Sequence, residues 1–374
     1  MPQEEYNPSS PAPQDYHPPR PTPPQYHPGL HYLALLTVIT TVPLIFMGGL
    51  VTSHGAGLSV PDWPNSFGYN MFTFPPSRWV QGVLYEHTHR LAGTLVGLLS
   101  ILLVIVAFLN DSRRSVRYLS LAVLAAVIVQ GVLGGLRVVW VNLDLAIIHA
   151  CAGQAFFCLT ALMAALTSKW WLQADTPTPA SSSSYRSVFR AAAITVALIY
   201  AQLIVGAIMR HYRAGLAIPD LPLNYNHLLP PTNQDALAAA NVWRSTQPGL
   251  FPVTLTQIWV HFAHRLGAIT VTIAIGYLVH LIARHHRNQP LLIRPAWALT
   301  LLLFLQLLLG VMVVLLQKPA DITSSHVAVG ALILLTTFII AIRARRLGHA
   351  TTVAAAPQPQ QQFPSPSTSN PLTA

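Results

Sequence analysis

The chain has 374 residues, of which 52% are hydrophobic and only 9% charged, with a formal net charge of +10. A soluble domain carries roughly 25% charged residues, so this composition excludes a soluble globular protein. The positive charge does not point to nucleic acid either, because the basic residues fall in short loops between long apolar runs rather than along one face.

The first 30 residues contain ten prolines and little that is apolar. That stretch, 1–30, is neither a cleavable signal peptide nor a folded unit, and it reads as a disordered tail. The first apolar run, roughly 31–52, then acts as its own targeting signal and is followed by GLSVPDWPN at 57–65. A second run, 82–108, opens with LYEHTHRLAGTLVGLL, which sets Glu86, His87, His89 and Arg90 at the mouth of a span. The third, 117–138, carries Gln130 and Gly134; the fourth, 143–166, carries His149, Cys151 and Cys158. The two cysteines lie about 10 Å apart along one helix, too far for a disulfide, and read as small buried side chains.

A cytoplasmic linker is expected over 171–187. The fifth run, 188–209, precedes GLAIPDLPLN at 215–224, and a long outer segment, 209–257, leads to the sixth run, 256–283. The seventh and eighth runs cover 295–317 and 322–342, and a low-complexity tail over 347–374 is expected to be disordered. Each run reaches the ~20 residues that cross a ~30 Å hydrocarbon core, and none alternates as a membrane β-strand does. The fold class is all-α integral membrane, with eight transmembrane helices. Twelve Lys and Arg, among them Arg113, Arg117, Lys169, Arg284 and Arg343, fall on one side of these spans and six on the other. That bias places both termini in the cytoplasm.

The chain repeats itself. GLSVPDWPN matches GLAIPDLPLN, HRLAG at 89–93 matches HRLGA at 264–268, Gln130 and Gly134 match Gln306 and Gly310, and HACAG at 149–153 matches HVAVG at 326–330. The halves 31–170 and 188–346 are therefore expected to be two pseudo-symmetric four-helix bundles in parallel orientation, because an even number of spans preserves orientation. Asp62 and Asp220 are suited to cap backbone in the matched loops, and Trp63 to the interfacial belt.

His89, His149, His264 and His326 each lie about five to eight residues into an even-numbered helix, so all four sit at one depth near the outer face. One intramembrane histidine reads equally well as a satisfied packing residue; four at matched positions indicate ligands. Two per half suggest two bis-histidine sites, for which heme iron is the natural occupant, and Arg90 and Arg265 are placed to meet heme propionates. Snorkelling to lipid headgroups is their alternative role. Glu86 lies one turn before His89 and aligns with His261, which makes the first half a candidate reaction centre using Glu86 for proton transfer. The competing reading pairs Glu86 with Arg90 at i,i+4. The residues assign no role to His54, His87, His211 or His261.

Together the GLSVPDWP loop, EHTHR, QGVLGG and the repeated histidines resemble the heme A synthase family over residues 31 to 345, in the branch without a cysteine pair in the first outer loop. The resemblance implies a membrane oxidoreductase of the bacterial cytoplasmic membrane that converts heme O to heme A for cytochrome c oxidase, oxidising the methyl at ring position 8 to formyl. It implies Glu86 as the catalytic residue, His89 and His149 flanking the substrate heme, and His264 and His326 as axial ligands of a heme b. Membrane lipid and heme O are implied partners, with a heme O synthase or an oxidase assembly factor as candidate protein neighbours; the electron acceptor is left open.

Three other readings compete with this one. A heme O synthase needs D-x-x-x-D motifs, and no two aspartates here are four residues apart. A heme transporter needs ligands at graded depths. A diheme b-type electron-transfer cytochrome needs both heme sites and has no use for Glu86.

Overall fold

The computed structural model describes residues 25–173 and 182–355. Its helices are α1 (Pro28–Ser53), α2 (Gln81–Asn110), α3 (Arg114–Val139), α4 (Leu143–Leu166), α5 (Lys169–Leu172), α6 (Ser182–His211), α7 (Gln234–Ser245), α8 (Leu255–His285), α9 (Pro290–Leu315) and α10 (Ala320–Ala355). All but α5 and α7 are long and apolar enough to span a membrane, giving the eight spans expected. Among the described residues the only β-pairing is two isolated bridges, Ser66 with Tyr69 and Asn224 with His227.

Two boundaries differ from expectation. Helix α10 continues to Ala355, so the beginning of the expected disordered tail is helical; residues 1–24, 174–181 and 356–374 lie outside the described residues. The outer segment between α6 and α8, featureless in sequence, contains α7, whose Asn233 side chain accepts from Ala236 N at 2.9 Å and caps the helix.

Helix α1 packs on α2 and α4, and α3 packs on the same two, so the first four long helices close a ring of neighbours. Helices α6, α8, α9 and α10 close a second ring. Each encloses its own apolar core, one around Leu30, Val96, Leu103 and Met163 and the other around Tyr185, Ile275, Leu278 and Leu299. A smaller cluster of Phe157, Ala161, Ala331 and Leu335 joins them where α10 meets α1 and α4. Lipid tails give helices no hydrophobic reason to associate, so close approach of small residues must do it. Gly49 supplies one such approach: a Cβ there would meet the Ser324 Cβ at 2.9 Å. Beside it Ser53 and Ser324 share a hydrogen bond at 3.2 Å, and Arg210 of α6 donates to Gly49 O and to Ser53 Oγ. The outward positions, such as Ile105, Leu301 and Phe304, are exposed apolar side chains suited to lipid.

Candidate functional site

The four histidines stand on α2, α4, α8 and α10, and each ring turns its Cε1 toward a glycine of the preceding long helix. A Cβ built on Gly48 would meet His89 Cε1 at 3.0 Å; on Gly134, His149 Cε1 at 3.2 Å; on Gly206, His264 Cε1 at 3.1 Å; and on Gly310, His326 Cε1 at 3.1 Å. Any side chain there would displace the ring, so the glycines are required by close approach. The same four seats line one apolar-walled cavity of about 1080 Å³ that is shared by both rings of helices.

One turn before the glycine, α3, α6 and α9 carry a glutamine. Gln202 Nε2 lies 3.0 Å from His264 Nδ1 and donates to His264 O at 2.8 Å. Gln130, in the amide orientation that satisfies both its ends, donates to His149 Nδ1 at 3.0 Å and accepts from Gly153 N at 3.2 Å. Gln306 Nε2 lies 3.3 Å from His326 Nε2, leaving His326 Nδ1 buried without a partner. His89 Nδ1 is also buried without a partner.

Beside this layer two matched loops close one end of each ring. Asp62 accepts from Phe67 N at 2.7 Å and Gly68 N at 2.8 Å; Asp220 accepts from Tyr225 N at 2.9 Å and Asn226 N at 3.0 Å. The residues so held, Phe67 and Gly68 in one loop and Tyr225 and Asn226 in the other, have positive φ. Burial works to raise the Asp62 pKa, but the Gly68 and Phe67 N–H groups and the Arg90 cation outweigh it and hold the carboxyl below its ordinary value.

The arginines expected to meet propionates are committed to these loops. Arg90 donates to Val60 O and Asp62 O at 2.8 Å, to Asn65 O at 3.0 Å and to Glu86 Oε1 at 3.0 Å. Arg265 donates to Ile218 O at 2.9 Å, Asp220 O at 2.8 Å and Leu223 O at 3.0 Å. Both therefore act as staples whose Nη groups are filled mainly by loop carbonyls, while both line the cavity and Arg265 Nε is buried without a partner.

Glu86 is 2% exposed, and its second oxygen, Oε2, accepts from Val60 N at 2.9 Å. At the aligned position His261 Nδ1 accepts from Ile218 N at 3.2 Å. Glutamate and histidine thus grip the same point of their loops, and the Glu86 to Arg90 pair is present as well. Glu86 nevertheless lines the cavity, as His89 and His149 do.

Of the histidines without an assigned role, His87 contacts Ser66 Oγ at 3.2 Å and packs between Phe74 and Trp79 inside the first loop. His54 stacks on Tyr85 at 4.1 Å. His211 borders the small space shared by His89, His149 and Arg137.

Sequence reading missed the cavity's free cations. Arg137 reaches from the end of α3 across Gly57, its Nη1 3.2 Å from a Cβ built there, and Lys318 crosses Gly215 in the same manner with Cδ at 3.3 Å. The two occupy corresponding places without aligned sequence positions, so no repeat signal marks them. Gln202 and Gly206 were also missed, although QLIVG at 202–206 has the same Q-x-x-x-G spacing as residues 130–134 and 306–310.

Residues 69–339 match the family described as cytochrome oxidase assembly protein. The chain belongs to this family. Among curated relatives, a heme A synthase of Bacillus cereus (strain 03BB102) is 26% identical over 303 residues, covering 79% of this chain and 87% of its own. A heme A synthase of Geobacillus kaustophilus (strain HTA426) is 27% identical over 303 residues, covering 79% and 86%.

The family implies heme, and the residues fit it. The His264 and His326 ring centres lie 6.4 Å apart. One metal ion between two imidazoles needs about that spacing, at roughly 2 Å per metal to nitrogen bond and about 1 Å more to each ring centre. The glycine walls behind all four rings, and the single cavity those rings line, are what a planar macrocycle with axial imidazoles requires.

Proposed function

We propose that the chain is a membrane oxidoreductase that takes heme O into the first ring of helices and returns heme A, the heme of cytochrome c oxidase. The methyl at ring position 8 is oxidised to the alcohol and then to the geminal diol, and the diol loses water to leave the formyl group. Each of the two oxidations adds one oxygen atom and, with water as its source, passes two electrons to an external acceptor and releases two protons. The observation that carries this reading is the histidine seat on glycine, built twice in each ring, with a carboxylate at Glu86 in the first ring alone. His89 and His149 hold the substrate heme, and His264 and His326 hold a heme b. When bound, heme b supplies one-electron transfer between the first site and an acceptor.

The chain's own residues do the rest. The loop held by Arg90 and Asp62 excludes water above the first site, and the loop held by Arg265 and Asp220 does so above the second. Glu86 is positioned at the cavity wall by Val60 N and Arg90, where it takes or returns the proton that accompanies oxidation of the methyl. Arg137 and Lys318 meet the propionates beside Arg90 and Arg265. The two rings are related by a pseudo-two-fold axis along the membrane normal, with both termini cytoplasmic, as the distribution of basic residues supports.

The test is expression in a bacterium that makes heme O but no heme A, followed by heme extraction and chromatography with mass detection. Heme A is expected from the natural chain, and heme O or its alcohol from Glu86→Gln. Arg90→Gln loosens the same loop but keeps the carboxylate, and it is expected to retain part of the activity. Heme B alone in every sample would overturn the reading and leave a diheme electron carrier.

A further inference from the structure

The four histidine seats share one plan, and the first departs from it. Each has a glycine behind the ring, and each has a side chain, four residues before that glycine, that reaches over a glycine one turn further along the histidine's own helix. Gln130 reaches Gly153 and Gln306 reaches Gly330, with atoms at 3.6 Å and 3.3 Å from a Cβ built there, and Gln202 overlies Gly267. In the first seat that side chain is Leu44, whose Cδ1 lies 4.0 Å from the corresponding point above Gly93. Leu44 therefore occupies the glutamine's place without its amide. From α1 the Leu44 backbone carbonyl faces His89, with no side-chain amide beside it, and Nδ1 is buried without a hydrogen-bond partner.

A hydrogen bond on the nitrogen that does not bind metal fixes an imidazole's tautomer and orientation and raises its basicity as a ligand. A glutamine amide can turn to accept from Nδ1–H as readily as it donates to Nδ1. Resting on the assignment of His89 and His149 to the substrate heme, we propose that His89 is the releasable ligand. Gln202 and Gln130 face Nδ1 of His264 and His149, and Gln306 faces Nε2 of His326. Each is a positioning residue that locks its ring by one nitrogen and leaves the other for metal, whereas Leu44 offers the His89 ring no amide and leaves it free to detach. A catalyst must admit heme O and discharge heme A at one site while keeping heme b at the other. The single unlocked ligand falls in the site that has to exchange.

The test reads heme release rather than turnover. Purified protein in detergent, loaded with heme B at both sites, is mixed with excess apomyoglobin, and transfer is followed optically. Outer partners of metal ligands change affinity by about 10–100-fold. The natural protein is expected to release one heme at least tenfold faster than the other. Leu44→Gln is expected to slow the fast phase about tenfold, with Leu44→Met, which lacks the amide, leaving it unchanged. Gln306→Leu is expected to speed the slow phase about tenfold without touching the fast one. Equal release from both sites, or a fast phase indifferent to Leu44→Gln, would overturn the proposal. Failure to hold any heme would overturn the site reading beneath it, whereas tight biphasic heme binding without heme A synthesis would refute only the assigned activity.

Discussion

Replacing Arg90 with glutamine is the sharpest perturbation of the first outer loop. The guanidinium makes three bonds to loop carbonyls, at Val60, Asp62 and Asn65, and one to Glu86, all between 2.8 and 3.0 Å. Hydrogen bonds from a charged donor contribute about 1.5–3 kcal/mol each, but four on one group do not add, and the Asn65 carbonyl recovers water. Stranding a buried carboxylate costs about 3–5 kcal/mol, part of which the Val60 N–H offsets for Glu86. Together these give a local loss of about 3 kcal/mol, or roughly a hundredfold in the opening equilibrium of the loop. Hydrogen–deuterium exchange with mass detection on peptides covering 57–70 and 215–228 measures it. Exchange in 57–70 is expected to rise about a hundredfold while 215–228 changes by less than about threefold, and Arg265→Gln is expected to reverse the pattern. No change in 57–70, or an equal rise in both loops, would refute the staple argument.

Gly310→Ala places a Cβ 3.1 Å from His326 Cε1 and must push the ring aside; the optical spectrum of the second-ring heme is expected to shift and its affinity to fall about tenfold, with the first-ring heme unchanged. The first loop is also expected to depend on pH through Asp62, whose carboxyl is held below its ordinary value of 3.8 in the folded loop. A depressed carboxyl contributes stability that is complete above the unfolded value and is lost as pH falls through the folded one. Protease protection of 57–70 is therefore expected to be flat from neutral pH down to about 4 and to decline below it, and Asp62→Asn to be uniformly less protected. Arg210→Gln removes the bonds from α6 to Gly49 O and Ser53 Oγ, and it is expected to lower the melting temperature of the detergent-solubilised protein, a loss of about 2–3 kcal/mol.

The eight spans were legible because a ~20-residue apolar run has no other use, and the histidine layer because matched repeats fix depth through helix rise alone. The repeat also revealed the paired loops, whose Asp62 and Asp220 caps form as expected. What sequence did not reveal is which way a cation turns. Arg90 and Arg137 are both arginines near an outer helix end, yet Arg90 is filled by carbonyls of a loop folded back over it and Arg137 is not. That depends on the path of the loop, which the repeat locates but does not trace. Glu86 shows the same limit. Its i,i+4 pairing with Arg90 followed from spacing, but the shared grip of Glu86 and His261 on Val60 and Ile218 needed the loops in place. The Q-x-x-x-G element falls within three of the spans, and only two of them lie in stretches where the two halves match, so Gln202 carries no repeat signal.

The central claim is a division of labour between two histidine pairs, and the direct measurement is which heme each pair retains. Protein purified from a host making heme B and heme O is extracted, and its hemes are resolved by chromatography for the natural chain, His149→Ala and His326→Ala. His149→Ala is expected to keep heme B and lose heme O and heme A, while His326→Ala is expected to lose heme B and hold heme O that it fails to convert. The same mixture of hemes from both variants would contradict the assignment of separate tasks to the two rings.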